Sequence, residues 1–261
     1  MLKHFSDIIF PAFSGDYIRG KRDSVPRYFF AGVEIKEVDN EYVMVGNFIK
    51  ETQYKVVTTV QEGVLASTPA DVPTAPYSSF IVFLKNHRMV LVRNETASPD
   101  TRSFQSTVRD ILNQYVRNAN RERSERDKLP IAIANIVDIP LKDSIADVLK
   151  NVNKVSWFKL RFFPLNNDLD PGPLTQHIRE DMKKVGSKTT NIVFNSPNSK
   201  DGISKMIAES SGLAVASLQI VDNTGEKRRV KEGSFSSTIK IEYEGNIRPN
   251  GDEYLLSLIH I

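Results

Sequence analysis

One stripe of apolar side chains does most to limit what this chain can fold into. Phe104, Val108, Ile111, Leu112, Tyr115 and Ala119 recur at the intervals of an α-helix. Pro99-Asp100 stands where a helix would open. Everything apolar ahead of that stripe runs instead at the period of a strand. Tyr28 to Ile35 is aromatic and β-branched, Asp39-Asn40 supplies a turn, and Tyr42 to Phe48 returns as its hairpin partner. Gln53 to Val60 is a third strand. Residues 61–78, with Pro69, Pro73 and Pro76 among Ser, Thr and Ala, read as an exposed loop. Ser79 to Leu84 and Met89 to Val92 flank Asn86-His87 as a second hairpin. The first half is therefore expected to be antiparallel β hairpins closed by one long helix.

The helical pattern continues past Ala119 through Arg121, Arg123 and Arg126, and the charged stretch Arg117 to Lys128 reads as a solvated helix end and linker. A boundary near residues 118–130 follows, giving an N-terminal β-rich domain over 1–120 and a C-terminal domain over 121–255. The second half opens with a short strand, Leu129 to Ile133, and a brief amphipathic helix, Asp143 to Val152. Ser156 to Phe163 is an aromatic strand holding the only tryptophan, Trp157. Pro173 suits the first turn of a helix continued by Leu174, Ile178 and Met182. Asn191 to Phe194 is a short strand, Ile203, Ile207 and Ala208 mark a helix, and Gly212 falls where its C-cap would. Leu213 to Val221, the turn Asp222-Asn223-Thr224-Gly225, Glu226 to Val230, and Ser237 to Tyr243 read as a closing antiparallel meander. The class is α+β, with a C-terminal α+β sandwich.

Composition narrows the function classes. In 261 residues, 40% are hydrophobic and 26% charged, an ordinary globular balance. The net charge of +3, from 35 basic and 32 acidic side chains, is too weak a field to attract nucleic acid by itself, so any such attraction must come from local clusters. The absence of cysteine excludes disulfides, thiolate metal sites and cysteine nucleophiles, and fits a cytoplasmic protein. No secretion signal and no stretch of about 18 apolar residues is present, so membrane insertion is not expected. The last six residues, Leu256-Ser257-Leu258-Ile259-His260-Ile261, match the translation of a transposon adapter used in sequencing libraries. Residues 256–261 are read as a scar outside the fold, with the natural chain expected to continue past about Leu255.

Few residues suggest chemistry. The histidines stand at 4, 87, 177 and 260, none in an HExxH arrangement. His177 and Asp181 share a helix face, as a surface pair does. Asp168 and Asp170 lack the later Glu of a calcium loop and are expected to make turn and cap hydrogen bonds. Gly15 to Arg22 has the glycine and lysine of a P-loop but Arg22 in place of its Ser/Thr, and no GxGxxG or GxSxG occurs. No cofactor and no catalytic residue is expected. The remaining signal is three basic clusters: Arg19, Lys21, Arg22 and Arg27; Arg179, Lys183, Lys184 and Lys188; and Lys227, Arg228, Arg229 and Lys231. Clustered Lys and Arg neutralise phosphates and release counterions, giving salt-sensitive, sequence-tolerant binding. Tyr17 and Tyr28 flank the first cluster, placed either to stack on bases or to pack in the core.

Three stretches carry a family resemblance. They are Ser79-Phe80-Ile81-Val82-Phe83-Leu84 with its return strand Met89 to Arg93 and the helix from about Pro99 to Leu112; Ser156-Trp157-Phe158-Lys159-Leu160-Arg161; and Lys205 to Tyr243, including Leu218-Gln219-Ile220-Val221-Asp222-Asn223-Thr224-Gly225. In this order of elements the chain resembles the RexA-like phage-exclusion proteins of prophages and their uncharacterised bacterial relatives. The resemblance implies a cytoplasmic, dimeric, DNA-binding sensor acting in abortive defence against phage, and it assigns no contact residue. The leading expectation is a non-enzymatic protein that binds duplex DNA through Arg19, Lys21, Arg22, Arg27, Lys183, Lys184, Lys227, Arg228, Arg229 and Lys231. The alternatives are a protein–protein module with a defence-system partner and a metal-dependent nuclease using Asp168, Asp170 or Glu180.

Overall fold

The computed structural model describes residues 2–21, 24–61, 63–136, 139, 142–163, 172–210 and 213–231. They form an α+β protein whose chain divides into two units after Ala134, beyond the segment 118–130 expected to join them. The hexapeptide 256–261, the strand expected over Ser237 to Tyr243, the Gly212 cap, and Asp168 and Asp170 all lie outside the described residues.

In the first unit, β1 (Arg27–Val38), β2 (Glu41–Gln61), β4 (Tyr77–Phe83) and β5 (Met89–Arg93) pair antiparallel in the order β1-β2-β4-β5. The β1–β2 turn is the expected pair Asp39-Asn40, with φ of 51° and 61°. Two left-handed residues in a two-residue loop match the right-handed twist of the strands, and Asp and Asn tolerate that backbone best. The two strands expected over 42–48 and 53–60 are one: β2 runs unbroken for 21 residues.

The inner half of β2 pairs with β1 and β4. Its outer half pairs only with β3 (Val64–Thr74), so a two-stranded arm extends from the sheet. This corrects the reading of residues 61–78 as a loop. The prolines mislead because β3 is an edge strand, which donates hydrogen bonds on one side only. Pro69 falls where the pairing jumps from Val56↔Ala70 to Thr58↔Ser67, and Pro73 stands opposite Gln53. Edges and bulges are where a sheet accepts proline. Tyr54, Val60 and Val72 on one side of the arm, and Val57 and Val64 on the other, are exposed.

Helix α2 (Thr101–Ala119) lies across this sheet. The Asp100 carboxylate accepts from the Ser103 N–H at 2.8 Å and caps its start. Burial acts to raise the Asp100 pKa, but the Ser103 hydrogen bonds and the Arg102 charge outweigh it, and the carboxyl titrates below its ordinary value. The apolar stripe is buried at Phe104, Val108, Ile111 and Leu112. The Phe104 ring meets Phe30, Phe48 and Phe80 at centroid distances of 5.2, 5.3 and 5.5 Å, and Phe13 of the short helix α1 (Phe10–Ser14) stacks on Phe30 at 4.6 Å. Edge-on aromatic contacts of this kind add to the area they bury. Gly46 makes room for the packing: a Cβ there would sit 2.9 Å from Phe80 Cζ.

The helix stops at Ala119 and does not continue to Arg126. Nor is Leu129 to Ile133 a strand. The Asn120 side chain donates to the Leu129 carbonyl at 2.9 Å and accepts from its N–H at 2.7 Å, and Arg109 Nε donates to the Ala134 carbonyl at 2.8 Å. Side chains of α2 and its cap thus satisfy backbone groups that a strand partner would otherwise have to meet. Ile131 and Ile133 are left 79% and 75% exposed.

The second unit contains α3 (Lys142–Lys150), β6 (Val152–Phe162), α4 (Gly172–Lys184), β7 (Thr190–Asn195), α5 (Lys200–Glu209), β8 (Ala214–Asp222) and β9 (Lys227–Lys231). Its strands pair antiparallel in the order β7-β6-β8-β9. Ile145 and Leu149 of α3, Met182 of α4, and Ile203 and Ile207 of α5 pack with Phe158, Leu160, Phe162, Leu218, Ile220 and Val230 into one core. All three helices therefore contribute to the same face of the sheet, the one on which those strand residues point.

Candidate nucleic-acid interface

The other face of this sheet carries the charge. Cross-strand partners share a face, and successive residues alternate between faces. One row reads Asn195, Trp157, Gln219, Arg229; the next reads Val193, Lys159, Ser217, Lys231; a third reads Asn191, Arg161, Val215. Beyond Trp157, Lys154 aligns with Val221, and Val221 with Lys227. Lys154, Lys159, Arg161, Lys227, Arg229 and Lys231 thus occupy a face on which no described strand position is acidic. Among the described residues none of the six forms an ion pair. All but the half-buried Lys159 are exposed. The Arg229 guanidinium lies over the half-buried Trp157 ring, 5.4 Å from its centroid, and Arg161 lies over Phe163 at 5.2 Å.

Two irregularities in β6 create this arrangement. Its pairing with β8 shifts between Val152 and Lys154 and again between Val155 and Trp157. Each shift inserts one extra residue into β6. Val152, Val155 and Phe158 consequently all point to the core, while Lys154 and Trp157 point away from it. Re-aiming a side chain is what a bulge does in a strand. The β8–β9 turn then fixes β9. Asp222 Oδ1 accepts from the Thr224 hydroxyl at 2.6 Å, the Thr224 N–H at 2.9 Å and the Glu226 N–H at 3.0 Å, while Gly225 takes φ +87°. The Thr224 hydroxyl, then those two N–H groups and the Arg228 charge, hold the Asp222 carboxyl below the usual aspartate range.

The three basic clusters read from the sequence meet different fates. The C-terminal one divides. Lys227, Arg229 and Lys231 join the open face, whereas Arg228 pairs with Ile220 and belongs to the helix-covered side. In the cluster along α4, Lys183, Lys184 and Lys188 are exposed, but α4 packs on the opposite side of the sheet, and Lys184 is bound to Asp181 at 3.1 Å. Arg179 and Lys183 line a cavity of about 140 Å³ together with Phe162, Ile178, Met182 and the buried hydroxyl of Thr175, which has no partner among the described residues. In the first unit, Arg19 donates through Nε to Thr107 at 2.8 Å and covers the Tyr28 ring at 4.0 Å, and Arg27 pairs with Glu51 at 2.5 Å. Lys21 is exposed, and Arg22 lies outside the described residues. Tyr28 stacks on Phe48 and Tyr17 meets Tyr115 edge-on, so both flanking aromatics serve packing.

His177 and Glu180 are exposed on α4, where Glu180 accepts from Gln176 at 3.4 Å. Among the described residues no group of three His, Asp or Glu side chains is placed to hold a metal, and no helix is long and apolar enough to cross a membrane. Sequence reasoning missed Lys154, Trp157, Lys159 and Arg161. The signal was the alternation Trp157-x-Lys159-x-Arg161, the same period-two spacing as Lys227-x-Arg229-x-Lys231. No family model, curated protein or solved structure matches the chain.

Proposed function

We propose that the chain is a non-enzymatic nucleic-acid-binding protein whose second unit takes the phosphate backbone on the open face of its four-stranded sheet. The observation that supports this most directly is the set of six cations on a face that, among the described residues, carries no carboxylate. Held at strand spacing and paired with no described acid, such cations exchange small counterions for phosphates at little conformational cost. A role as a cytoplasmic sensor in phage exclusion extends this reading through the family resemblance.

The test is affinity of the intact chain for mixed-sequence nucleic acid, titrated over salt. The expected slope of log affinity against log salt is about −0.7 to −0.9 per phosphate contacted. No binding at low salt removes the reading.

A protein–protein module is the second reading, and the arm of the first unit favours it. Tyr54, Val60 and Val72 project from a side of the arm on which no described strand position is charged. Its best occupant is the same arm of a second copy, since an uncharged face meets itself without repulsion. The prolines of β3 discourage strand addition and leave the face for packing. Light scattering over a concentration series is expected to show a homodimer that Tyr54→Asp with Val60→Asp dissociates. A monomer at all concentrations ends this reading.

A further inference from the structure

We propose that Trp157 and Arg229 form a stacking site for an unpaired base, so that the sheet face takes single-stranded nucleic acid in preference to duplex. The inference rests on the nucleic-acid reading above and adds the class of strand.

Geometry argues against a duplex. Four strands about 4.8 Å apart span roughly 14 Å between their outer backbones before side chains are added. The major groove of B-form DNA is about 12 Å wide and admits a helix or a two-stranded ribbon. A four-stranded face therefore meets a duplex only at its phosphates, and an indole set within that face has no base to touch. An unpaired strand has no such barrier. Its bases splay outward and stack on aromatic rings or guanidinium planes, and sheet surfaces are a recurrent platform for this.

The Trp157 row has the parts such a site needs. The indole sits on an inner strand with the Arg229 guanidinium 5.4 Å from its ring centroid. The row is completed by Asn195 and Gln219, whose amides both donate and accept, as base edges require. The flanking rows hold Lys159 and Lys231 on one side and Lys154 and Lys227 on the other. Rows on one face of a strand repeat every two residues, about 6.6 Å. That is roughly twice the 3.4 Å rise per nucleotide of a stacked strand, a spacing that a strand with unstacked bases can stretch to meet.

Trp157 is the only tryptophan, so its fluorescence reports this site alone. The experiment titrates the intact chain with about ten nucleotides of oligothymidylate, with oligouridylate of equal length, and with a duplex of about ten base pairs. Anisotropy of the labelled nucleic acid and tryptophan emission are read together. Single strands are expected to quench the emission with the same midpoint as the anisotropy, while the duplex binds more weakly and leaves it unchanged. The two single-strand arms separate ribose from deoxyribose, and saturable quenching by either supports the site. Trp157→Ala is expected to weaken single-strand binding about ten-fold or more and to leave duplex binding unaltered, with Trp157→Phe intermediate. Anisotropy without quenching, or duplex bound as tightly as single strand, overturns the stacking site and leaves the phosphate-binding face in place. No anisotropy change with any nucleic acid overturns both.

Discussion

Two sets of basic residues, one in each unit, are used in opposite ways. In the first, Arg19 and Arg27 lie close together in sequence, yet each is engaged internally, by Thr107 and the Tyr28 ring in one case and by Glu51 in the other. In the second, Lys227, Arg229 and Lys231 lie closer still and face outward with three cations of β6, and no described strand position on that face is acidic. Similar runs of basic residues thus become internal fasteners in one unit and a displayed surface in the other. What decides is whether the fold brings an acceptor within reach. The lesson is that a basic run in a sequence gains meaning only once the cross-strand partners are known.

The sharpest way to break this comparison is to reverse charge on the displayed face. Lys159→Glu with Arg229→Glu should weaken nucleic-acid binding by about 100-fold at moderate salt and flatten the salt slope, without moving the melting temperature. Unchanged affinity would mean that the face displays its cations for solubility alone. The reciprocal change is Arg19→Ala. The buried Thr107 hydroxyl keeps its bond to the Ser103 carbonyl, so losing the Arg19 donor should cost about 1 kcal/mol in denaturant unfolding and leave affinity untouched. A loss of affinity there would erase the distinction between the units.

The cap of α2 gives a smaller effect with a defined pH dependence. Asp100 titrates below its ordinary value when folded, so its contribution is complete above the unfolded pKa of about 3.9 and is lost as pH falls through the folded one. Asp100→Ala should therefore cost about 1 kcal/mol at pH 7, and the gap between variant and parent should close on acidification. A gap that persists at the acid end would assign the cost to something other than the cap charge. Smallest of all, Arg228→Glu should change affinity by no more than about two-fold, because Arg228 shares a cluster in sequence but not a face with Arg229. An effect matching that of Lys227→Glu would show that only net charge matters.

Some of this was legible in the sequence and some was not, for identifiable reasons. The Asp39-Asn40 hairpin, the α2 stripe and the Asp222 to Gly225 turn are local, and the residues that dictate them lie within one helix face or one turn. Pro69 and Pro73 misled because proline reports on one residue's hydrogen bonding, whereas tolerance depends on whether the strand lies at an edge. Leu129 to Ile133 has strand-like composition, but side chains of α2 and Asn120 claim its backbone. The candidate site was hardest to see because it depends on phase. Core-facing residues of β6 fall at 152, 155, 158, 160 and 162, a spacing that mixes three with two. Two extra residues hide the alternation that would have separated Trp157 and Lys159 from the core.

The unbroken course of β2 has a mechanical consequence. From Asn47 to Gln61, where it leaves the sheet and becomes half of the arm, the strand contains neither glycine nor proline. It has no soft joint. The ten residues from Thr52 to Gln61 make a lever of roughly 33 Å, and a force applied at its tip arrives as torque on the hydrogen bonds that hold β2 between β1 and β4. Whatever grips the arm pulls directly on the strand that carries Phe48, at the centre of the aromatic core.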